Sequence, residues 1–208
     1  VGVGLAAPAG MSANTLTVGA GLVLSTFFGV AAILYTLFAA ITAFNSMLHH
    51  GTAKEAGPTL LVIVPIVTIL SILFLRQDHG LHANFNTHVT AADTLMFLAR
   101  MLAVQVVFLL LGLMVLRRQG YFADFVIGSK TSAGSYALVC PGVALSVMLH
   151  FFINKGLVGA GIIDKFGVGF WLLTAVALGF QALMIALLVR LNRQHFARPA
   201  EAELVPGE

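Results

Sequence analysis

Five apolar runs, each long enough to cross a bilayer, constrain this fold before any motif is considered. A bilayer's hydrocarbon core is about 30 Å thick, and a helix rising about 1.5 Å per residue needs roughly 20 apolar residues to cross it. The runs cover about 16–48, 58–75, 91–116, 135–153 and 167–189. The first is longer than one crossing needs, so it tilts or projects from the bilayer. Polar or glycine-rich connections separate the runs: His49-His50-Gly51-Thr52, Gln77-Asp78-His79-Gly80, Gly128-Ser129-Lys130 and Asp164-Lys165. Backbone groups in hydrocarbon must be satisfied internally, which makes runs of this length helices. The expected fold class is an all-α integral membrane protein of about five transmembrane helices, two of them proline-kinked, in a hairpin-built bundle. Residues 1–15 are expected as an N-terminal extracytoplasmic segment and 16–196 as the transmembrane domain. Residues 197–208, rich in Glu and Pro, are expected as a disordered cytoplasmic tail.

Composition removes the competing classes. The 208 residues are 59% hydrophobic and 9% charged, where a soluble domain carries about 45–50% and about 25%. Eleven basic and eight acidic residues are too few to cover a water-facing surface, and one cysteine cannot pair within the chain. The net charge of +3 does not argue for nucleic acid, since membrane proteins hold excess Lys and Arg in cytoplasmic loops. Here the side bearing the first and third connections and the C-terminus holds seven: Lys54, Arg117, Arg118, Lys130, Arg190, Arg193 and Arg198. The other side holds four: Arg76, Arg100, Lys155 and Lys165. The C-terminus is therefore expected in the cytoplasm and the 79–88 connection outside, in a bacterial inner membrane.

Two runs contain a proline, Pro65 and Pro141. Proline removes a backbone donor, and the carbonyl it frees in a bilayer must face protein or a water-lined cavity. Aligned on the prolines, Thr59-Leu60-Leu61-Val62-Ile63-Val64-Pro65 matches Ser135-Tyr136-Ala137-Leu138-Val139-Cys140-Pro141, with a small hydroxyl residue six positions ahead in both. The pattern is a weak internal repeat of a broken-helix hairpin, a device of transporter and channel cores. Thr68, Tyr136 and Cys140 join the prolines as pore or substrate candidates, although a thiol in apolar surroundings is ordinarily inert packing.

Arg100 lies about nine residues into the third run, and an intramembrane arginine is a functional hypothesis by default. Its plainer reading is a side chain that snorkels outward and pairs with Asp93, seven residues earlier on the same face. Gln105, deeper in that helix, reads as an interhelical hydrogen bonder. His79 and His82 could share a side with His150, a weak metal pattern that lacks zinc-like Cys or Glu spacing. No haem pair at matched depth, nucleophile–base constellation or phosphate loop is legible, so no enzyme and no cofactor is expected.

The segment Ser135-Tyr136-Ala137-Leu138-Val139-Cys140-Pro141-Gly142, with Arg117-Arg118-Gln119-Gly120-Tyr121-Phe122 before it, resembles the tellurite-resistance/dicarboxylate transporter family. That family includes the slow-type anion channels of plant guard cells. The resemblance implies ten helices in five hairpins around a central pore, with this chain similar to helices six to ten. It makes the Pro65 and Pro141 helices inner and the other three outer. Many members place an aromatic residue before the ninth-helix proline; Cys140 stands there instead, so no phenylalanine gate carries over.

The expected function is a membrane transport protein, channel or carrier, for a small anion such as a dicarboxylate, sulfite or halide. The alternatives are a redox-complex membrane anchor with a haem or quinone site near His150, and a purely structural membrane subunit. The expected partners are the lipid bilayer and the anion, with no nucleic acid. A second copy, an absent N-terminal half or a partner membrane subunit is expected to complete the assembly.

Overall fold

The computed structural model describes residues 1–51, 54–85 and 87–196, with the backbone alone at Leu48 and His50. The expected tail, 197–208, lies outside the described residues. The α-helices are α1 (Gly2–Met11), α2 (Thr15–His50), α3 (Ile63–Phe85), α4 (Ala91–Arg118), α5 (Val139–Phe151) and α6 (Val168–Phe196). Lys54–Val62 and Ala133–Leu138 are 3-10 segments running straight into α3 and α5, and Phe152–Leu157 extends α5 as a π-helical turn. A second π-helical turn, Phe122–Ile127, follows α4. Among the described residues no strand occurs, and five helices are long and apolar enough to span a membrane. The chain is an all-α membrane helical bundle.

Local chemistry sets the helix ends. Asn14 Oδ1 accepts from Leu16 N at 2.9 Å and Thr17 N at 3.3 Å, satisfying first-turn donors of α2. Gly51, at φ +72°, closes that helix and donates its N–H to Met47 O. Thr90 and Asp93 form a capping box at the start of α4. Before α6 the backbone turns through Phe166 at φ +67°, an uncommon conformation for a bulky residue. Its ring sits 5.5 Å from Phe170 and 6.2 Å from Trp171, with Lys165 Nζ 5.3 Å from its centroid. Such aromatic and basic groups suit a membrane–water boundary.

Packing adds detail at three places. Within residues 1–15, α1 packs on both α2 and α3. Arg76 does not bound the second span, because α3 runs on to Phe85 and takes in Gln77-Asp78-His79-Gly80. The reason is tertiary, since Arg76 Nη1 donates to Val3 O at 2.9 Å and Asn84 Nδ2 to Ala9 O at 3.4 Å. Neither proline interrupts an α-helix, and no kink is seen at either. Each is the third residue of its α-helix, a first-turn position where a missing N–H is tolerated. What changes there is helix type, from 3-10 to α.

The two proline helices form the centre. In the most apolar stretch of each spanning helix, 33% of residues are buried in Lys54–Phe85 and 44% in Ala133–Leu157. The share falls to 17% in α4, 11% in α2 and 6% in α6. α3 packs on α2, α4 and α5, while α5 packs on α3, α4 and α6. The repeat seen in the sequence is also a contact: Thr68 reaches Ala144 O across the same 76-residue offset that separates the prolines. Its hydroxyl positions diverge, because Thr59 Oγ1 donates to its own Ala56 O, whereas Ser135 is buried against Tyr121 Oη at 2.8 Å.

At the end opposite α1, Asp124 Oδ2 lies 2.9 Å from Lys54 Nζ and 3.0 Å from Lys130 Nζ. Hydrogen bonds from Lys54 and then Lys130 hold its carboxyl below the ordinary range. A depressed carboxylate stabilises the fold fully above its unfolded pKa of about 3.9, and that contribution is lost as pH falls through the folded value. Both lysines are partly exposed, so the effect is small. Asp124→Asn is expected to flatten the acid limb of a melting-temperature profile between about pH 5 and pH 2, leaving the profile at neutral pH parallel to wild type.

Candidate functional site

A cleft of about 430 Å³ opens at the α1 end of the bundle. Four helical elements and the connection before α4 build it: Ala6, Ala7, Gly10 and Met11 from α1, Leu75, Arg76, Asp78, His79 and His82 from α3, Val89 from the connection, Thr94 from α4, and Phe151 and Lys155 from the end of the fourth span. Helical spacing explains the α3 contribution, since residues 75, 79 and 82 fall on one face and 76 and 78 flank it. The α1 residues, Leu75, Val89 and Phe151 make most of the lining apolar, and the charged groups are mainly basic. Arg76 and Lys155 carry fixed positive charge against the single carboxylate of Asp78, with His79 and His82 beside them. The Arg76 guanidinium is anchored by its bond to Val3 O, and His82 Nδ1 lies 2.6 Å from Thr87 O.

A smaller recess of about 280 Å³ adjoins it, sharing Leu75, Asp78, Val89 and Thr94 and adding His88, Asp93 and Phe97. Asp93 is committed locally there: its Oδ2 accepts from Thr90 N at 3.1 Å and Thr90 Oγ1 at 2.6 Å. Those bonds fix Asp93 in the helix cap, and its carboxylate keeps its negative charge in the adjoining recess.

The residues singled out in the sequence scatter. Arg100 is exposed on the outside of α4, and its expected pairing with Asp93 does not form, because Asp93 serves the helix cap. Cys140, a pore candidate whose plainer reading was inert packing, is likewise exposed. Tyr136 sits at the far end, its hydroxyl donating to Asn192 Oδ1 at 2.9 Å and its ring 5.4 Å from that of His195. His79 and His82 share the cleft, but His150 does not line it. Among the described residues no three His, Cys, Asp or Glu side chains converge as a metal site.

Thr68 is the candidate that the fold places at its centre. It is buried between α3, α4 and α5, and Gln105 Nε2 donates to it and to Val64 O at 3.0 Å. Gln105 is thus the interhelical bonder that its sequence position suggested. Arg76, Asp78 and Lys155 were missed as site residues and counted only as loop charges. Continuing the helical period of α3 past Arg76 would have put Arg76, Asp78, His79 and His82 together. Nothing local in the sequence brings Lys155 to them. No protein family matches the chain, and no curated protein or solved structure matches it.

Proposed function

We propose that this chain forms part of a membrane transport protein, channel or carrier, for a small anion such as a dicarboxylate, sulfite or halide. The observation that supports this reading most is the cleft, where Arg76 and Lys155 face a shared space with one opposing carboxylate. Clefts lined by one sign of charge and backed by low-dielectric walls concentrate counter-ions and raise capture rates. The central pair of 3-10/α helices, packed side by side, suits a pathway core better than a purely structural subunit. The basic-residue bias puts the C-terminus in the cytoplasm and the cleft outside, as in a bacterial inner membrane. In this reading the sparsely buried α2 and α6 meet lipid or a second five-helix unit, whether another copy or the other half of a ten-helix pore.

The cleft variants test the reading. In proteoliposomes loaded for chloride or sulfite flux, Arg76→Ala and Lys155→Ala are each expected to raise the half-saturating concentration roughly three- to tenfold, equivalent to about 0.7–1.4 kcal/mol. Maximal flux stays near wild type, because the charges gather the ion and do not carry it across. Arg100→Ala, outside the cleft, leaves the concentration dependence unchanged. Equal effects of all three would point to general surface potential, and no effect from the cleft pair would remove the cleft from the pathway.

A further inference from the structure

The cleft of about 430 Å³ falls within the roughly 300–1,000 Å³ of small-molecule sites. A halide takes up a space comparable to one water, whose share of liquid volume is roughly 30 Å³. Most of the lining is hydrocarbon: Ala6, Ala7, Met11, Leu75, Val89 and Phe151. Such a wall strips water from an inorganic ion and returns no hydrogen bond. It stabilises a hydrocarbon body in proportion to the apolar area removed from water. The charges are placed to hold one end of such a ligand. Arg76 Nη1 donates to Val3 O at 2.9 Å, and Val3 shares a face of α1 with Ala6, Ala7 and Gly10 by helical spacing. The guanidinium is thereby fixed beside the apolar α1 wall with donors to spare, since it carries five N–H groups. Lys155 adds a second positive charge and Asp78 one negative, a surplus of one positive charge in the lining. One ligand carboxylate balances that surplus. A second would overshoot it, against Asp78 inside the cleft and Asp93 in the adjoining recess.

We propose that the cleft binds a small organic monoanion, a carboxylate on a short hydrocarbon body, an inference that rests on the anion reading of the cleft given above. The carboxylate meets Arg76 and Lys155, and the body lies against the α1 wall, Leu75 and Phe151. Asp78 acts by repulsion against ligands with a second negative charge, as specificity is often set by what a site rejects. Inorganic anions meet the same charges but gain nothing from the wall.

Calorimetric titration of the full chain in detergent tests this, at about pH 8, where carboxylates of ordinary pKa are ionised. The probes are acetate, propionate, butyrate, succinate and butyramide. Each methylene from acetate to butyrate is expected to tighten binding about two- to fourfold, the upper figure being full burial of one CH2. Succinate replaces the terminal methyl of butyrate by a carboxylate, and butyramide keeps the body without the charge; each is expected to bind at least about tenfold more weakly than butyrate. Ala7→Trp, which fills the space beside the α1 wall, is expected to remove the gain per methylene. A flat series, or succinate or butyramide binding as tightly as butyrate, would overturn the proposal. So would a gain that survives Ala7→Trp in protein with wild-type circular dichroism, because the body would then lie elsewhere. Chloride flux alongside a flat series removes this ligand class and leaves the transport reading; graded butyrate binding by protein that carries no flux does the reverse.

Discussion

Replacing Gly134 by valine is expected to loosen the centre of the bundle and lower its melting temperature by about 3–10 °C, the shift that about 1–3 kcal/mol of overpacking gives a chain of this size. A Cβ at Gly134 would lie 2.6 Å from the carbonyl oxygen of Glu55. That atom is backbone, in the 3-10 segment ahead of α3, so no rotamer change relieves the contact. The two 3-10 segments must move apart, and the packing of Leu61 with Leu116, Tyr121, Phe125 and Leu138 moves with them. Gly134→Ala carries the same Cβ and falls between wild type and valine. Gly179→Ala is the control, because a Cβ there meets nothing within 4 Å and alanine favours the helix. Thermal unfolding in detergent reads the series; an unchanged melting temperature for Gly134→Val would mean that the two 3-10 segments are not in register.

The second large effect concerns α1. A Cβ at Gly80 would lie 2.8 Å from Ala9 O and 3.1 Å from Ala9 Cβ, so Gly80→Leu pushes α1 off α3. Ten residues are too few to hold a helix in water without tertiary contacts. Hydrogen exchange of residues 2–11 is therefore expected to rise toward that of an unstructured peptide, while the five spanning helices keep their protection. The cleft loses the wall formed by Ala6, Ala7, Gly10 and Met11, and the half-saturating anion concentration rises as in the Arg76 variant. Retained protection across 2–11 would show that α1 is held by something other than this close approach.

The fold class was legible because a bilayer leaves few choices: five apolar runs meant five helices, and their approximate limits followed from length. What the sequence concealed was decided by contacts between distant segments. Gly80 reads as a helix end, yet α3 continues through it because Ala9 packs where a larger residue could not. Pro65 and Pro141 read as interior helix breakers, but a 3-10 segment precedes each and places the proline in an α-helical first turn. Arg100 drew attention by its depth in the sequence, whereas its exposure depends on which face of α4 meets α3. Gln105 and Arg100 are five residues apart and point in very different directions, a distinction that only the packing of α4 makes. Lys155 reaches the cleft through the π-helical turn after α5, which no local pattern announces.

That the protein moves small anions is the central proposal. It is tested most directly by wild-type protein in sealed liposomes with an outward chloride gradient, the potential clamped and efflux followed by a chloride-selective electrode. Protein-dependent efflux is expected that saturates with concentration, is competed by sulfite or a dicarboxylate, and is weakened in the Arg76→Ala and Lys155→Ala proteins. Efflux equal to that of protein-free liposomes, from protein shown to be folded by its circular dichroism and elution profile, would contradict it.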